Sequence, residues 1–175
     1  MFNLLLQPRT DAKLLVLDLD HTLWDGSAQV EELSQKLRPG LFDFFLKVVG
    51  HYDIIIWSNN PKRVLMIKLQ ALGLLNQDLR VIAVLDRSLI NTCRGKRAKA
   101  LEVIWHQLKC YNTHNTIHVD DLEENFSLNP RQGLKIKPFK VGHQDDCELR
   151  VLGEYLVRLA KVKDFNEYSH DNWRN

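Results

Sequence analysis

A chain of 175 residues with 45% hydrophobic residues is long enough for one well-buried core and short for two, so a single domain over 1–175 is expected. The formal charge of +2 is nearly balanced and gives no compositional case for nucleic acid or a membrane surface. Cys93, Cys110 and Cys147 are odd in number and share no close spacing, which argues against a disulfide framework or a zinc site and fits a reducing compartment.

In chain order, Met1 to Pro8 has three leucines but no basic leader or long apolar core, so it reads as neither signal peptide nor anchor. Leu14–Leu17 is a continuous apolar run, the pattern of a strand buried on both faces, and it ends in Asp18, Leu19, Asp20, His21 and Thr22. Two carboxylates this close at a strand end need a proton or a cation between them. Two residues apart, they project to the same side, where one can attack while the other handles a proton.

Pro39 to Val49 carries Leu41, Phe42, Phe45, Leu46 and Val49 at helical spacing and stops at Gly50. Asp53–Trp57 reads as a second buried strand, ending at Ser58. Asn60 and Pro61 then open a helix as N-cap and first turn, with Val64, Leu65, Leu69 and Leu72 as its buried stripe and Gly73 as its stop. The run Arg80–Asp86, the pair Arg87-Ser88 and the run Leu89–Thr92 read as a β-hairpin, giving a small β insert over 79–98. The basic stretch Arg94–Lys99 lacks the glycine spacing of a P-loop and reads as a solvated hairpin.

Lys99 to Lys109 shows Leu101, Ile104, Trp105 and Leu108; Asp145 to Ala160 shows Leu149, Leu152, Leu156 and Leu159, both helical. Between them Thr116–Val119 reads as a third buried strand, ending at Asp120 and Asp121. His114 and His118 flank this strand rather than share a helix face, so they do not form a metal pair. The alternation predicts a doubly wound α/β parallel sheet with helices on both faces and no large cap domain. Asp18, Ser58 and Asp120-Asp121 each end a strand, and ligands in such sheets bind beyond the carboxyl ends.

The order of an Asp-x-Asp-x-Thr segment at Asp18–Thr22, a Trp-Ser ending at Trp57-Ser58, a lysine at Lys99 and a Val-Asp-Asp ending at Val119–Asp121 resembles the haloacid dehalogenase (HAD) superfamily. Within it the wording is similar to the FCP/SCP-type phosphatases of the polymerase II C-terminal tail (the CTD). It is most similar to those carrying a ubiquitin-like domain, through Arg38-Pro39, Val103–Trp105, Asn129-Pro130, Gly133–Ile136 and Pro138-Phe139. No ubiquitin-like domain is expected before Lys13, and Asn59-Asn60 departs from the residues common after the second motif.

The resemblance implies an Mg²⁺-dependent phosphoserine/phosphothreonine protein phosphatase. It makes Asp18 the nucleophile that carries an aspartyl-phosphate and Asp20 the general acid and base. Ser58 and Lys99 join them in catalysis, and Thr22, Asn59, Ser58 and Lys99 meet the substrate. The metal would be held by Asp18, the Asp20 carbonyl and Asp121, with Asp120 behind them. It further implies a phosphorylated protein or peptide partner, with RNA polymerase II or the proteasome as candidates, and a nuclear or cytoplasmic setting with the nucleus favoured. A small-molecule HAD phosphatase and a catalytically silent protein-binding relative are the competing readings.

Overall fold

The computed structural model describes residues 2–93, 96–143 and 145–174. Its strands are β1 (Asn3–Leu4), β2 (Lys13–Leu17), β3 (Tyr52–Trp57), β4 (Val81–Leu85), β5 (Asn91–Cys93), β6 (Lys96–Ala98), β7 (Thr116–Asp120) and β8 (Gly133–Lys135). The α-helices are α1 (Leu41–Val48), α2 (Lys62–Ala71), α3 (Glu102–Gln107) and α4 (Glu148–Leu159). Six strands form one sheet in the order β1-β4-β3-β2-β7-β8, all parallel except the edge strand β1.

The apolar runs explain this layering. Along each central strand, successive side chains point to opposite faces. Leu15, Leu17, Ile54, Ile56, Ile117 and Val119 join the core built with α1, α2 and α4. Leu14, Val16, Ile55, Trp57, Ile82 and Leu85 join the core built with Leu101, Ile104 and Leu108 around α3. Helices therefore cover both faces, as the doubly wound reading expects.

Several expectations need correcting. Val81–Leu85 is not an arm of a hairpin but a parallel strand beside β3. Its five residues are all buried, so its lack of alternation marks an interior strand rather than a surface ribbon. The hairpin lies downstream, where β5 and β6 pair antiparallel with Asn91 opposite Ala98; Arg94 and Gly95 of the basic stretch lie outside the described residues. Phe42, Leu46 and Val64, grouped with the buried stripes, are exposed, and Phe44 and Val48 take their places in α1. Asn60 does not cap α2, which begins at Lys62 after Pro61 without a side-chain cap. Gly73 does end that helix, at φ 68°, a left-handed turn that glycine adopts without penalty.

At the opposite end of β3 from the catalytic candidates, fully buried Asp53 ties the N-terminal segment to the sheet. It accepts from the Arg9 main-chain N–H (2.6 Å) and Nε (2.8 Å), from Arg80 Nη2 (2.9 Å) and from the Tyr111 hydroxyl (2.7 Å). Burial alone would raise its pKa, but these donors and the Arg9 charge hold it below the usual carboxylate range. Its contribution to stability is thus complete above the unfolded-state pKa and is lost as pH falls through the folded value. Asp53→Ala strands the buried Tyr111 hydroxyl and is expected to cost about 3 kcal/mol at pH 7 by denaturant titration. The gap to wild type should narrow at pH 3; a constant gap would contradict the ionic assignment.

Candidate active site

The loops beyond the carboxyl ends of β2, β3 and β7, with the start of the α3 segment, surround a crevice of about 620 Å³. Asp18, Asp20, Asn59, Asn60, Arg97, Lys99, Asp121 and Asn125 are among its lining residues. Sequence-distant stretches therefore meet where a doubly wound sheet places a ligand. Of the expected site residues, Asp18, Asp20, Asn59, Lys99 and Asp121 reach the crevice. Ser58 and Thr22 are fully buried beside it.

Lys99 is at the centre. Although 99% of it is covered, its ammonium contacts Asp18 Oδ1 and Asp120 Oδ2, each at 2.6 Å. Burial would lower its pKa, but Asp18 and Asp120 overcome that and keep it cationic. Asp120 takes donors on both oxygens: Oδ1 accepts from the Leu122 N–H (2.9 Å) and Oδ2 from Asn125 (2.8 Å) as well as Lys99. Burial opposes ionisation of Asp120, and the Lys99 charge, with His118 beside it, more than offsets this. Asp18 has Lys99 as its only donor among the described residues, and that donor reaches Oδ1.

One ammonium, bonded to two of them, therefore faces a cluster of three carboxylates. Asp18, Asp120 and Asp121 each offer an oxygen within 4.8 Å of the others. At that separation two unit charges repel by about 3.5 kcal/mol at an effective dielectric near 20. Burial pushes Asp18 up to about 7; Lys99 opposes the rise, while Asp120 and Asp121 add to it. Asp121 is raised by burial and then by the Asp120 charge. Chemically this oxygen-only, under-neutralised set fits a hard divalent cation. It includes Asp120, which the sequence reading placed behind the metal and which already takes protein donors on both oxygens.

Asp20 occupies a different environment. Its Oδ1 accepts from Lys68 Nζ (2.8 Å) and Trp24 Nε1 (3.0 Å), and its Oδ2 from Asn60 (2.5 Å) and Ser58 Oγ (3.2 Å). Burial would raise its pKa, but Lys68, Trp24 and Asn60 together lower it. The loop that carries it is held firmly. His21 has a left-handed φ of 61°, and its main-chain carbonyl accepts from Phe139 N–H at 2.6 Å. Buried Arg38 grips the Thr22 carbonyl (3.0 Å), the Lys137 carbonyl (2.8 Å) and Asp146 (2.9 Å). The Thr22 hydroxyl has no hydrogen-bond partner among the described residues, so Thr22 orders the loop through its main chain.

Sequence reasoning missed Trp24, Asn60 as a site residue, Lys68 and Asn125. Trp24 and Asn60 carried a weak signal, lying within four residues of Asp20 and two of Ser58. Lys68 carried none, since a lysine on a surface helix has many ordinary uses.

The electrostatics set a sign. The folded state holds the Asp18 proton more tightly than the unfolded chain does, so in metal-free protein this group costs stability as pH rises through about 7. Asp18→Asn removes that cost. At pH 8 in chelator its unfolding midpoint is expected about 2–4 °C above wild type, the shift that ~1 kcal/mol gives a domain of this size. A midpoint below wild type would show that the Lys99 pairing outweighs the burial.

Residues 13–166 match the family described as NLI interacting factor-like phosphatase. The chain is 39% identical over 96% of its length to the ubiquitin-like domain-containing CTD phosphatase 1 of Drosophila melanogaster, covering 56% of that protein. It is 38% identical over 99% of its length to the ubiquitin-like domain-containing CTD phosphatase of Arabidopsis thaliana, covering 54%. It thus spans a little over half the length of these curated relatives. The solved structure of Fcp1, described as an essential RNA polymerase II CTD phosphatase, superposes with a TM-score of 0.65 at 14% identity, over 90% of this chain and 69% of that one. The fold is shared at that distance, and the match over most of the sequence places this chain in the NLI interacting factor-like phosphatase family.

Proposed function

We propose that this domain is an Mg²⁺-dependent phosphoserine/phosphothreonine protein phosphatase that works through an aspartyl-phosphate on Asp18. The observation that carries the reading is the asymmetry of the Asp18 carboxylate. Buried Lys99 anchors Oδ1, and no described residue donates to Oδ2 in a group that faces the crevice. An anchored carboxylate with one free oxygen is suited to attack.

In the first step an Asp18 oxygen forms a bond to phosphorus as the bond to the seryl or threonyl oxygen breaks. The Asp20 carboxyl gives its proton to that departing oxygen. In the second, water attacks the phosphoryl group and passes a proton to Asp20. Inorganic phosphate leaves and the Asp18 carboxylate returns. Lys99 keeps Asp18 aligned and adds positive charge beside the phosphoryl group. Ser58 holds Asp20 through its hydroxyl, and Asn59, which lines the crevice, is proposed to meet substrate. Asp18 and Asp121, with the Asp20 main-chain carbonyl, are proposed to hold Mg²⁺, which when bound supplies charge for the phosphoryl oxygens.

A protein substrate is favoured over a metabolite because, among the described residues, the insert beside the crevice is no more than the small ribbon β5–β6. Among the described residues no second domain closes over it. The names of the relatives support phosphosites of the RNA polymerase II C-terminal tail as the first candidates; proteasome subunits are a second set, and a nuclear setting fits the first.

Asp18→Asn is expected to abolish Mg²⁺-dependent phosphate release from a phosphoserine peptide, by at least about 10³-fold, while circular dichroism stays native. Retained turnover would remove Asp18 from its role. A panel of phosphopeptides and sugar or nucleotide phosphates tests the substrate class, and a strong metabolite preference would overturn the protein-phosphatase reading. Binding is checked apart from activity: millimolar Mg²⁺ should raise the unfolding midpoint of wild type and not of Asp121→Asn. Equal shifts in both would refute the Asp121 assignment.

A further inference from the structure

Lys68 lies on α2, outside every motif that marks the site, yet its ammonium sits 2.8 Å from Asp20 Oδ1 and 3.1 Å from Asn60 Oδ1. It also lies 5.0 Å from the Trp24 ring centroid, within cation–π range. Its side chain is 20% exposed, and it is not among the residues lining the crevice. It stands behind Asp20, so it meets the reaction through that carboxylate.

Four donors converge on Asp20 from three stretches of chain: Trp24 from the β2 loop, Ser58 and Asn60 from the end of β3, and Lys68 from α2. A carboxylate offers about four lone-pair directions, so this one is fixed in both position and plane. Space has been left for the arrangement: a Cβ built on Gly26 would lie 3.0 Å from Asp20 Oδ1 and 3.0 Å from the Trp24 ring. Neither Lys68 nor Trp24 has a described hydrogen bond or ion pair to Asp18, Lys99 or Asp121.

We infer that Lys68 is a positioning residue for Asp20: with Trp24 and Asn60 it fixes the carboxyl on the α2 side of the crevice, and so sets how well the site expels a poor leaving group. The inference rests on the phosphatase reading, in which the Asp20 carboxyl gives its proton to the departing oxygen. An alkoxide from serine needs that proton. A nitrophenolate hardly does, so misplacing Asp20 penalises the first far more than the second.

The test compares kcat/KM for a phosphoserine peptide and for 4-nitrophenyl phosphate with Mg²⁺ present, since this ratio reports the step in which the leaving group departs. For Lys68→Met the peptide value is expected to fall about 10–100-fold, the range of one acid–base contribution, and the aryl value by about threefold or less. Lys68→Arg should recover most of the loss. Gly26→Ala should reproduce the selective loss without touching a charge, and it carries the test if Lys68→Met fails to fold. In an Asp20→Asn background Lys68→Met should add nothing further. Equal losses on both substrates, no rescue by arginine, or additive losses would overturn the assignment. If wild type cleaves both substrates and Lys68→Met matches it, the positioning role falls alone; if wild type cleaves neither, the phosphatase reading falls first.

Discussion

The contact on which this molecule turns is the buried ammonium of Lys99 between Asp18 and Asp120. A lysine taken almost wholly from water is strongly destabilising unless anionic partners replace its hydration. Here the partners come from the ends of β2 and β7, adjacent strands in the sheet, so the pair is brought together by parallel pairing in register. The Lys99 N–H also donates to the Asn125 carbonyl at 3.3 Å, and the Leu101 N–H donates to Asn129 at 2.9 Å. The chain entering α3 is thereby tied to the segment after β7, and the lysine cannot withdraw without disturbing both.

The same contact explains why the acidic cluster is open to a cation. Asp120 takes donors on both oxygens, leaving Asp18 and Asp121 with the unbalanced charge. Had a second lysine or arginine entered this cluster, the carboxylates would form a closed ionic network with nothing left to bind. The fold instead pairs another cation, Lys68, with Asp20, on the other side of the aspartate pair.

Much of this was legible in the sequence because burial on both faces leaves an unmistakable mark. Leu14–Leu17 and Ile54–Trp57 are apolar without alternation, Thr116–Val119 alternates Thr116 and His118 with Ile117 and Val119, and the carboxyl ends of the three runs named the crevice. The same rule, applied to Val81–Leu85, would have identified β4; the adjacent Arg87-Ser88 pair imitated a hairpin turn and obscured it. β1 and β8 are two and three residues long, too short for any period to register. Helical stripes failed by a related ambiguity. Phe42 and Phe45 are both apolar in α1, and only the packing of α1 on α4 determines that Phe44 and Phe45 turn inward while Phe42 stays exposed. The site beyond its motifs was hidden because Lys68 and Asn60 act through side-chain geometry, and geometry has no spacing in sequence.

The two aspartates show how far environment can separate neighbours of one type. Asp18 is buried with a single donor and holds its proton up to about 7; Asp20, two residues on, has four donors and releases it below the ordinary range. For a nucleophile followed by a general acid these directions are reversed: the attacking group should be ionised and the acid protonated. Positive charge beside Asp18 and Asp121 corrects the first, which is what a divalent cation there would supply. The second requires a donor to release Asp20, because a carboxyl oxygen that carries a proton cannot also accept a hydrogen in the same direction. Of its four donors, the Ser58 hydroxyl yields at least cost, since its contact is the longest at 3.2 Å and a hydroxyl turns its hydrogen away without moving, so Lys68, Trp24 and Asn60 keep the carboxyl in place. The proposed reaction thus asks for added positive charge beside Asp18 and for one neutral donor to turn away from Asp20 while Lys68 stays.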